Sequence, residues 1–255
     1  MEYGICNLGN VPIRAKAKDQ AEIVSFLLFG EHFKIIAVQK NWMQIITHFD
    51  HYEGWICSKQ YKEITHEDYD HLSINKFPIC ASNNGEITSL KTGEVTPISA
   101  GAILPYYHKG KFKLRNEEYT TNINLASFDI KDLTSYCLAL LNTPYLWGGR
   151  SPLAIDCSGY SQLVYRLCGV ELPRDAYQQA ELGELIQLKE STKGDLAFFQ
   201  NKEGKINHVG ILLDNNKIIH SSGKVRIDEL NNKGIYNLES KKISHSFHSI
   251  KRIYS

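Results

Sequence analysis

No run in the 255 residues approaches the roughly 18 apolar residues that a membrane-crossing helix needs. The opening MEYGICNLGNVPIR lacks a charged segment followed by an apolar one, so no signal peptide is visible. The expected location is therefore the cytoplasm, or the periplasm or exterior if a leader has been removed. Neither sign of charge is in excess: 29 Lys and Arg against 28 Asp and Glu leave +1. That balance offers no basic field for nucleic acid or an anionic membrane. Six cysteines, at 6, 57, 80, 137, 157 and 168, include no CxxC pair, which excludes a thioredoxin-like motif or zinc ribbon. Internal repeats and low-complexity segments are also missing. What remains is a chain 42% hydrophobic, the composition of a soluble globular protein.

Two halves differ in texture. Up to about residue 126, short β-type runs alternate with turn residues: IVSFLLFG, HFKIIAVQ, WMQIITHF, EGWIC, EVTPIS and KFKLR. Short strands at close spacing predict small barrels, one over 1–62 and a second over 63–125, with Asn83 to Glu86 as a turn. Beyond 126, DIKDLTSYCLALLNT places Leu133, Tyr136, Cys137, Leu140 and Leu141 at helical spacing, with Asp129 as N-cap and Pro144 as stop. A second helix starts near Cys157 and ends at Gly169, and a third follows Pro173. The strands DLAFF, HVGILL, KIIHS and HSIKRIY come last. Helices followed by an antiparallel sheet predict an α+β domain over 126–255.

Most of the cysteines read as small buried thiols; Cys57, Cys137 and Cys168 lie inside apolar runs. Cys157 has different neighbours. In AIDCSGYSQLVYRLCG it opens a helix with Asp156 as N-cap. Unpaired N–H groups at a helix start favour the thiolate, which is the nucleophilic form.

Such a nucleophile needs a base. Of ten histidines, seven (His32, His48, His51, His66, His71, His108 and His245) lie in polar or turn-like stretches and read as surface imidazoles. His248 is ambiguous. His208 and His220 sit inside apolar strands, INHVGILL and KIIHSSG. With Asp214, Asn215 and Asn216 as the loop, Leu213 faces Lys217 and His220 falls opposite Gly210. His208 then shares the face of His220 as its diagonal neighbour, about 7–8 Å away at the backbone. A loop shorter by one residue puts the rings on opposite faces. In the favourable register one imidazole serves as base and the other orients it. The same three residues, Cys157, His208 and His220, could instead bind zinc, although DCSG at a helix start is not a metal spacing.

DCSG opening a helix, then GDLAFF, NHVGI and IIHSSG in that order, closely resembles the NlpC-type cysteine peptidases of bacterial cell-wall metabolism. The resemblance implies a papain-like α+β fold, no cofactor, and a catalytic set of Cys157, His208 and His220. GNVPIRAKA and YEGWI are similar to the two bacterial SH3-like barrels that some relatives carry. PYLWGGRSPLAIDCSG and LPRDAYQQ resemble the subgroup of γ-D-glutamyl-diamino-acid endopeptidases. For substrate binding this implies Tyr145, Trp147, Asp156, Ser158 and Asp175, with Glu53 from the first barrel as a second acid for the substrate's free amine. The implied partners are freed peptidoglycan peptides such as L-Ala-γ-D-Glu-diaminopimelate. Acyl transfer on the same thiol, or an inactive wall-binding protein, are the alternatives.

Overall fold

The computed structural model describes residues 2–214 and 216–254. They fall into two compact units, 1–127 with 147–152, and 128–146 with 153–255. Among the described residues no helix is long and apolar enough to cross a membrane.

The first unit opens with seven strands: β1 (Glu2–Ile5), β2 (Asn10–Arg14), β3 (Ile23–Leu28), β4 (His32–Gln39), β5 (Trp42–Thr47), β6 (Glu53–Cys57) and β7 (Lys62–Ile64). They form one sheet in the order β3-β2-β6-β5-β4-β1-β7. Alternation sets the inner face, where Val11, Ile13, Phe33, Ile35, Ile45 and Ile56 form a core. Helix α1 (His66–Ile74) starts at Thr65, whose hydroxyl accepts from the Asp68 N–H while the Asp68 carboxylate accepts from the Thr65 N–H. A four-stranded sheet follows: β8 (Gly85–Ser89), β9 (Val95–Ile98), β10 (Lys111–Leu114) and β11 (Glu117–Thr120), ordered β10-β11-β8-β9. The sheets share a second core, in which Ile5 of β1 and Phe29, in the turn after β3, pack with Ile87, Phe112 and Leu114 of the second sheet. The boundary expected between residues 62 and 63 falls inside β7, which pairs with β1.

Residues 147–152 are held within this first unit. Arg150 donates to both oxygens of Glu31, at 2.9 and 3.0 Å, and to the Phe26 carbonyl at 2.9 Å. Gly148 has φ +81°, and a Cβ there would lie 2.3 Å from the Ile23 carbonyl oxygen. Only glycine tolerates both conditions.

In the second unit, a 3₁₀ turn (Ile130–Asp132) capped by Asp129 leads into α2 (Leu133–Ala139). Leu133, Cys137 and Leu140 point inward as their spacing predicts, but Leu141 is exposed. Helix α3 (Cys157–Leu167) is buried along its whole length. It ends at the Cys168 cap, followed by Gly169 with φ +83°. Helix α4 (Ala176–Gln179) is a single turn after Asp175.

Seven strands complete the unit: β12 (Glu184–Ile186), β13 (Leu196–Gln200), β14 (Ile206–Leu212), β15 (Lys217–Ser222), β16 (Lys224–Asn231), β17 (Gly234–Asn237) and β18 (Lys242–Arg252). Every pairing is antiparallel. The order is β12-β18-β13-β14-β15-β16-β17, and β17 also pairs with β18. Six strands therefore close into a barrel, with β12 attached outside the ring. Helix α3 packs on β14 and β15.

Candidate active site

Cys157 stands on the first turn of α3 because Asp156 stops the helix there. Asp156 Oδ1 accepts from the Gly159 N–H at 2.7 Å, an N-cap bond that satisfies one orphan donor. The preceding residue is fixed by the sheet, since the Ser221 hydroxyl donates to the Ile155 carbonyl at 2.7 Å. Asp156 is not only a cap. Arg174, 1% exposed, donates to its Oδ1 at 3.0 Å and its Oδ2 at 2.6 Å. The same guanidinium donates to the Ser158 hydroxyl at 3.0 Å. The carboxylate assigned to the substrate's amine is thus already matched by a buried guanidinium. Arg174 was not singled out from the sequence; its signal is a lone cation between Pro173 and a helix cap.

The thiol is 6% exposed, and burial pushes it up to about 12, with the Asp156 charge adding to the rise. The Val209 and Ser158 N–H groups and Arg174 oppose that rise without overcoming it. The expected lowering by the helix start is therefore outweighed, because desolvation penalises a buried anion more than a few N–H dipoles favour it. Tyr145 is also pushed up to about 12, by burial and then by the Cys157 and Asp156 charges, which places its hydroxyl in their field.

The residue before Val209 is His208. Strands β14 and β15 pair as Ile211 with Ile219 and Leu212 with Ile218, and the Leu213 N–H donates to the Lys217 carbonyl. This is the register that puts His220 opposite Gly210; Asn215 of the intervening loop lies outside the described residues. A Cβ on Gly210 would come within 2.9 Å of His220 Cβ, so glycine makes room for the ring. His208 Nε2 and His220 Nδ1 are 2.9 Å apart, and both residues are buried.

The chain of polar contacts continues past them. His220 Nε2 lies 3.1 Å from Asp228 Oδ2 on β16. Asp228 accepts from Arg226 Nε at 2.7 Å, Arg226 Nη2 at 3.1 Å and the Leu238 N–H at 3.0 Å. Burial alone would raise this carboxyl, but the donors His220, Arg226 and Leu238 together hold it at about 2. Burial keeps His208 well below the ordinary imidazole range, and the neighbouring rings of His220 and His245 add to this. His220 is lowered by burial as well, with Asp228 pulling the other way.

His245 is a correction. Its polar surroundings suggest a surface ring, yet it stacks on His208 with centroids 3.9 Å apart and planes inclined by 19°. Burial lowers it to about 4. In the first unit His32 is likewise buried and stacks on His48 at 4.5 Å, whereas Cys57 is only half-buried. The nitrogens of His208, His220 and His245 lie within 4.8 Å of one another, a spacing that could take a divalent cation. This trio leaves out Cys157, and a cation there would have to break the His208–His220 contact.

The neutral imidazoles make stability depend on pH. A His245 lowered from 6.5 to about 4 binds fewer protons folded than unfolded between those values, so stability rises with pH across that window. It is fully present above about 6.5 and is lost as pH falls through 4. We expect the melting temperature to drop over this range and His245→Gln to flatten the slope; an unchanged slope in thermal melts would contradict the account.

Of the remaining residues named from sequence, Asp175 is half-buried and its N–H donates to Gln178 Oε1 at 3.1 Å as α4 begins. Trp147 and Glu53 belong to the first unit. Trp147 is exposed and its indole donates to Glu22 Oε1 at 2.6 Å. Glu53 is exposed and accepts from the Gln44 amide.

The NlpC/P60 family matches residues 142–241, and the bacterial dipeptidyl-peptidase SH3 domain matches residues 13–60. A Bacillus subtilis protein named gamma-D-glutamyl-L-lysine dipeptidyl-peptidase is 28% identical over 216 residues, covering 76% of this chain and 71% of its own. The probable endopeptidase NlpC homolog of Haemophilus influenzae is 39% identical over 103 residues, 40% of this chain and 54% of its own. A B. cereus protein of the same name as the B. subtilis one is 34% identical over 101 residues, and the chain spans 39% of itself and 30% of that relative. The crystal structure of an NlpC/P60 family protein from B. cereus superposes with a TM-score of 0.82 at 18% identity, over 98% of this chain and 99% of the other.

Proposed function

We infer that this chain, which belongs to the NlpC/P60 family through residues 142–241 and bears a bacterial dipeptidyl-peptidase SH3 domain at residues 13–60, is a cysteine endopeptidase acting on peptidoglycan peptides. On this reading residues 126–255 form a papain-like catalytic domain with Cys157 as nucleophile, His208 as base and His220 as its orienting partner. The bond cut is that between the γ-carboxyl of D-glutamate and a diamino acid, in peptides that begin with a free L-Ala. The relationship to the B. subtilis enzyme supports the choice of bond. One observation carries the chemistry: a buried thiol opens α3, which packs on the strand that holds His208, and His208 Nε2 bonds a second histidine.

Burial disfavours both the Cys157 thiolate and the His208 imidazolium. Proton transfer therefore accompanies attack. Cys157 gives its proton to His208 as Sγ bonds to the γ-carbonyl carbon. The oxygen that gains charge is stabilised by the Cys157 N–H, with the Tyr145 hydroxyl as a second donor. Protonated His208 then donates to the leaving amine as the C–N bond breaks, leaving a thioester. Water attacks the thioester while His208 takes its proton, and Cys157 leaves and is reprotonated. Asp156, Ser158 and Asp175 of the same unit are assigned to the peptide on the amine side.

Incubation with L-Ala-γ-D-Glu-diaminopimelate should release L-Ala-D-Glu and the free diamino acid, identified by mass spectrometry. N-acetylation of the alanine should lower kcat/KM by about 10- to 100-fold, since it removes the charge that strengthens the ammonium's hydrogen bonds to the site. Equal cleavage of the acetylated peptide would remove the free-amine requirement, and an adduct with an added amine in place of dipeptide would favour acyl transfer.

A further inference from the structure

Two histidines in contact do not by themselves make a directed pair, because each neutral ring can carry its proton on either nitrogen. Asp228 removes the choice. It is fully buried and stands opposite Ile218, while Arg226 stands opposite His220. Asp228 is thus the diagonal neighbour of His220 on one face of the barrel wall. The geometry points to Asp228 as a positioning residue that fixes the tautomers of His220 and, through it, His208, leaving His208 Nδ1 as the nitrogen that takes the proton of Cys157. The inference rests on the reading of Cys157 as nucleophile and His208 as base.

The derivation is one of donors and acceptors. An ionised carboxylate only accepts, so His220 must present Nε2–H to Asp228 across 3.1 Å. Neutral His220 then has its lone pair on Nδ1, 2.9 Å from His208 Nε2. Two lone pairs cannot face each other at that distance, so His208 carries Nε2–H and donates it. Its Nδ1 is left unprotonated. The carboxylate also faces the charge that forms two groups away when His208 becomes an imidazolium.

Asp228 stays ionised because every neighbouring element supports it. Arg226 on its own strand gives two N–H groups, and β15 supplies His220. The end of β17 and the residue after it supply the Asn237 amide at 3.5 Å and the Leu238 N–H at 3.0 Å. His245 on β18 lies within range of its charge. Arg226 has a second acid of its own, Glu239 Oε2 at 3.0 Å, so Asp228 is not needed merely to neutralise it.

The test uses the full chain and begins without any variant. Histidine side-chain ¹⁵N–¹H spectra of the wild type at pH 7 should show His208 and His220 both as Nε2–H tautomers; an Nδ1–H tautomer at His208 overturns the proposal. Asp228→Asn, whose amide can donate as well as accept, should mix the two tautomers. It should also slow alkylation of Cys157 by iodoacetamide 10- to 100-fold, read by peptide mapping against the other five cysteines. On a cleaved peptide kcat should fall by the same factor with KM within twofold. Asp228→Glu, which restores a carboxylate, should recover part of the loss and guards against reading a folding defect as a positioning one. An Asp228→Asn protein matching the wild type in both tautomer and alkylation rate also overturns the proposal. Spectra and alkylation need no substrate, so failure to cut any wall peptide would sink the substrate reading and leave this inference standing.

Discussion

Cys157→Ala should cleave no peptide at a measurable rate while keeping its fold. Replacing the thiol removes one buried heavy atom, close to one methylene in size, at a stability cost of about 1 kcal/mol. For a chain of this length that lowers the melting temperature by roughly 2–4 °C. Nothing else can substitute as nucleophile at the start of α3: Ser158 is buried and its hydroxyl already receives a donor from Arg174. The measurement is peptide release by mass spectrometry, paired with a thermal melt. Cleavage by the alanine variant at more than a thousandth of the wild-type rate would rule out an acyl-enzyme on this sulfur.

His208→Ala should be the next most damaging change. A positioned general base contributes about 10²–10⁴-fold, and here the loss is compounded because a thiol pushed up to about 12 cannot ionise unaided near neutral pH. The expected fall in kcat/KM is therefore roughly 10³–10⁴-fold, carried by kcat. His220→Asn should cost less, about 10–100-fold, since asparagine can still accept from His208 Nε2 while losing the link to Asp228. Steady-state kinetics on both variants decide the roles. A larger loss at His220 than at His208 would reverse base and partner.

The elements that carry Cys157, His208 and His220 are legible because their signals are local. Asp156 before an apolar helical stripe with Gly169 behind it marks both ends of α3. The register of β14 and β15 followed from counting three loop residues between two apolar runs, and the 2.9 Å contact of the rings depends on that count. Legibility ended where long-range contacts decide. In strand β16 Arg226 and Asp228 are the polar members of an alternation with Val225 and Ile227, a pattern that reads Asp228 as solvent-facing although the fold buries it behind His220. The turn residues Asn231 to Gly234 that join β16 to β17 were the clue to a further hairpin. His245 reads as exposed in KKISHSFHSIK, and only pairing of β18 with β13 and β17 brings it against His208. Arg174 reads as a loop cation until the fold sets it against Asp156. The thiol's high proton affinity was illegible for the same reason, since helix-end dipoles are local and desolvation is not.

The closure of the second unit's strands has a consequence for how its chemistry tolerates change. His208, His220 and Asp228 stand on three successive staves of a ring, and none of those staves is an outer margin. Foreign strands cannot add beside them, and no single stave can slide without parting from both neighbours. Extra residues acquired at the tip near 232–233, between β16 and β17, would lengthen a turn and leave the spacing of the rings untouched. Variation in this protein can thus accumulate at that tip while His208, His220 and Asp228 stay in alignment.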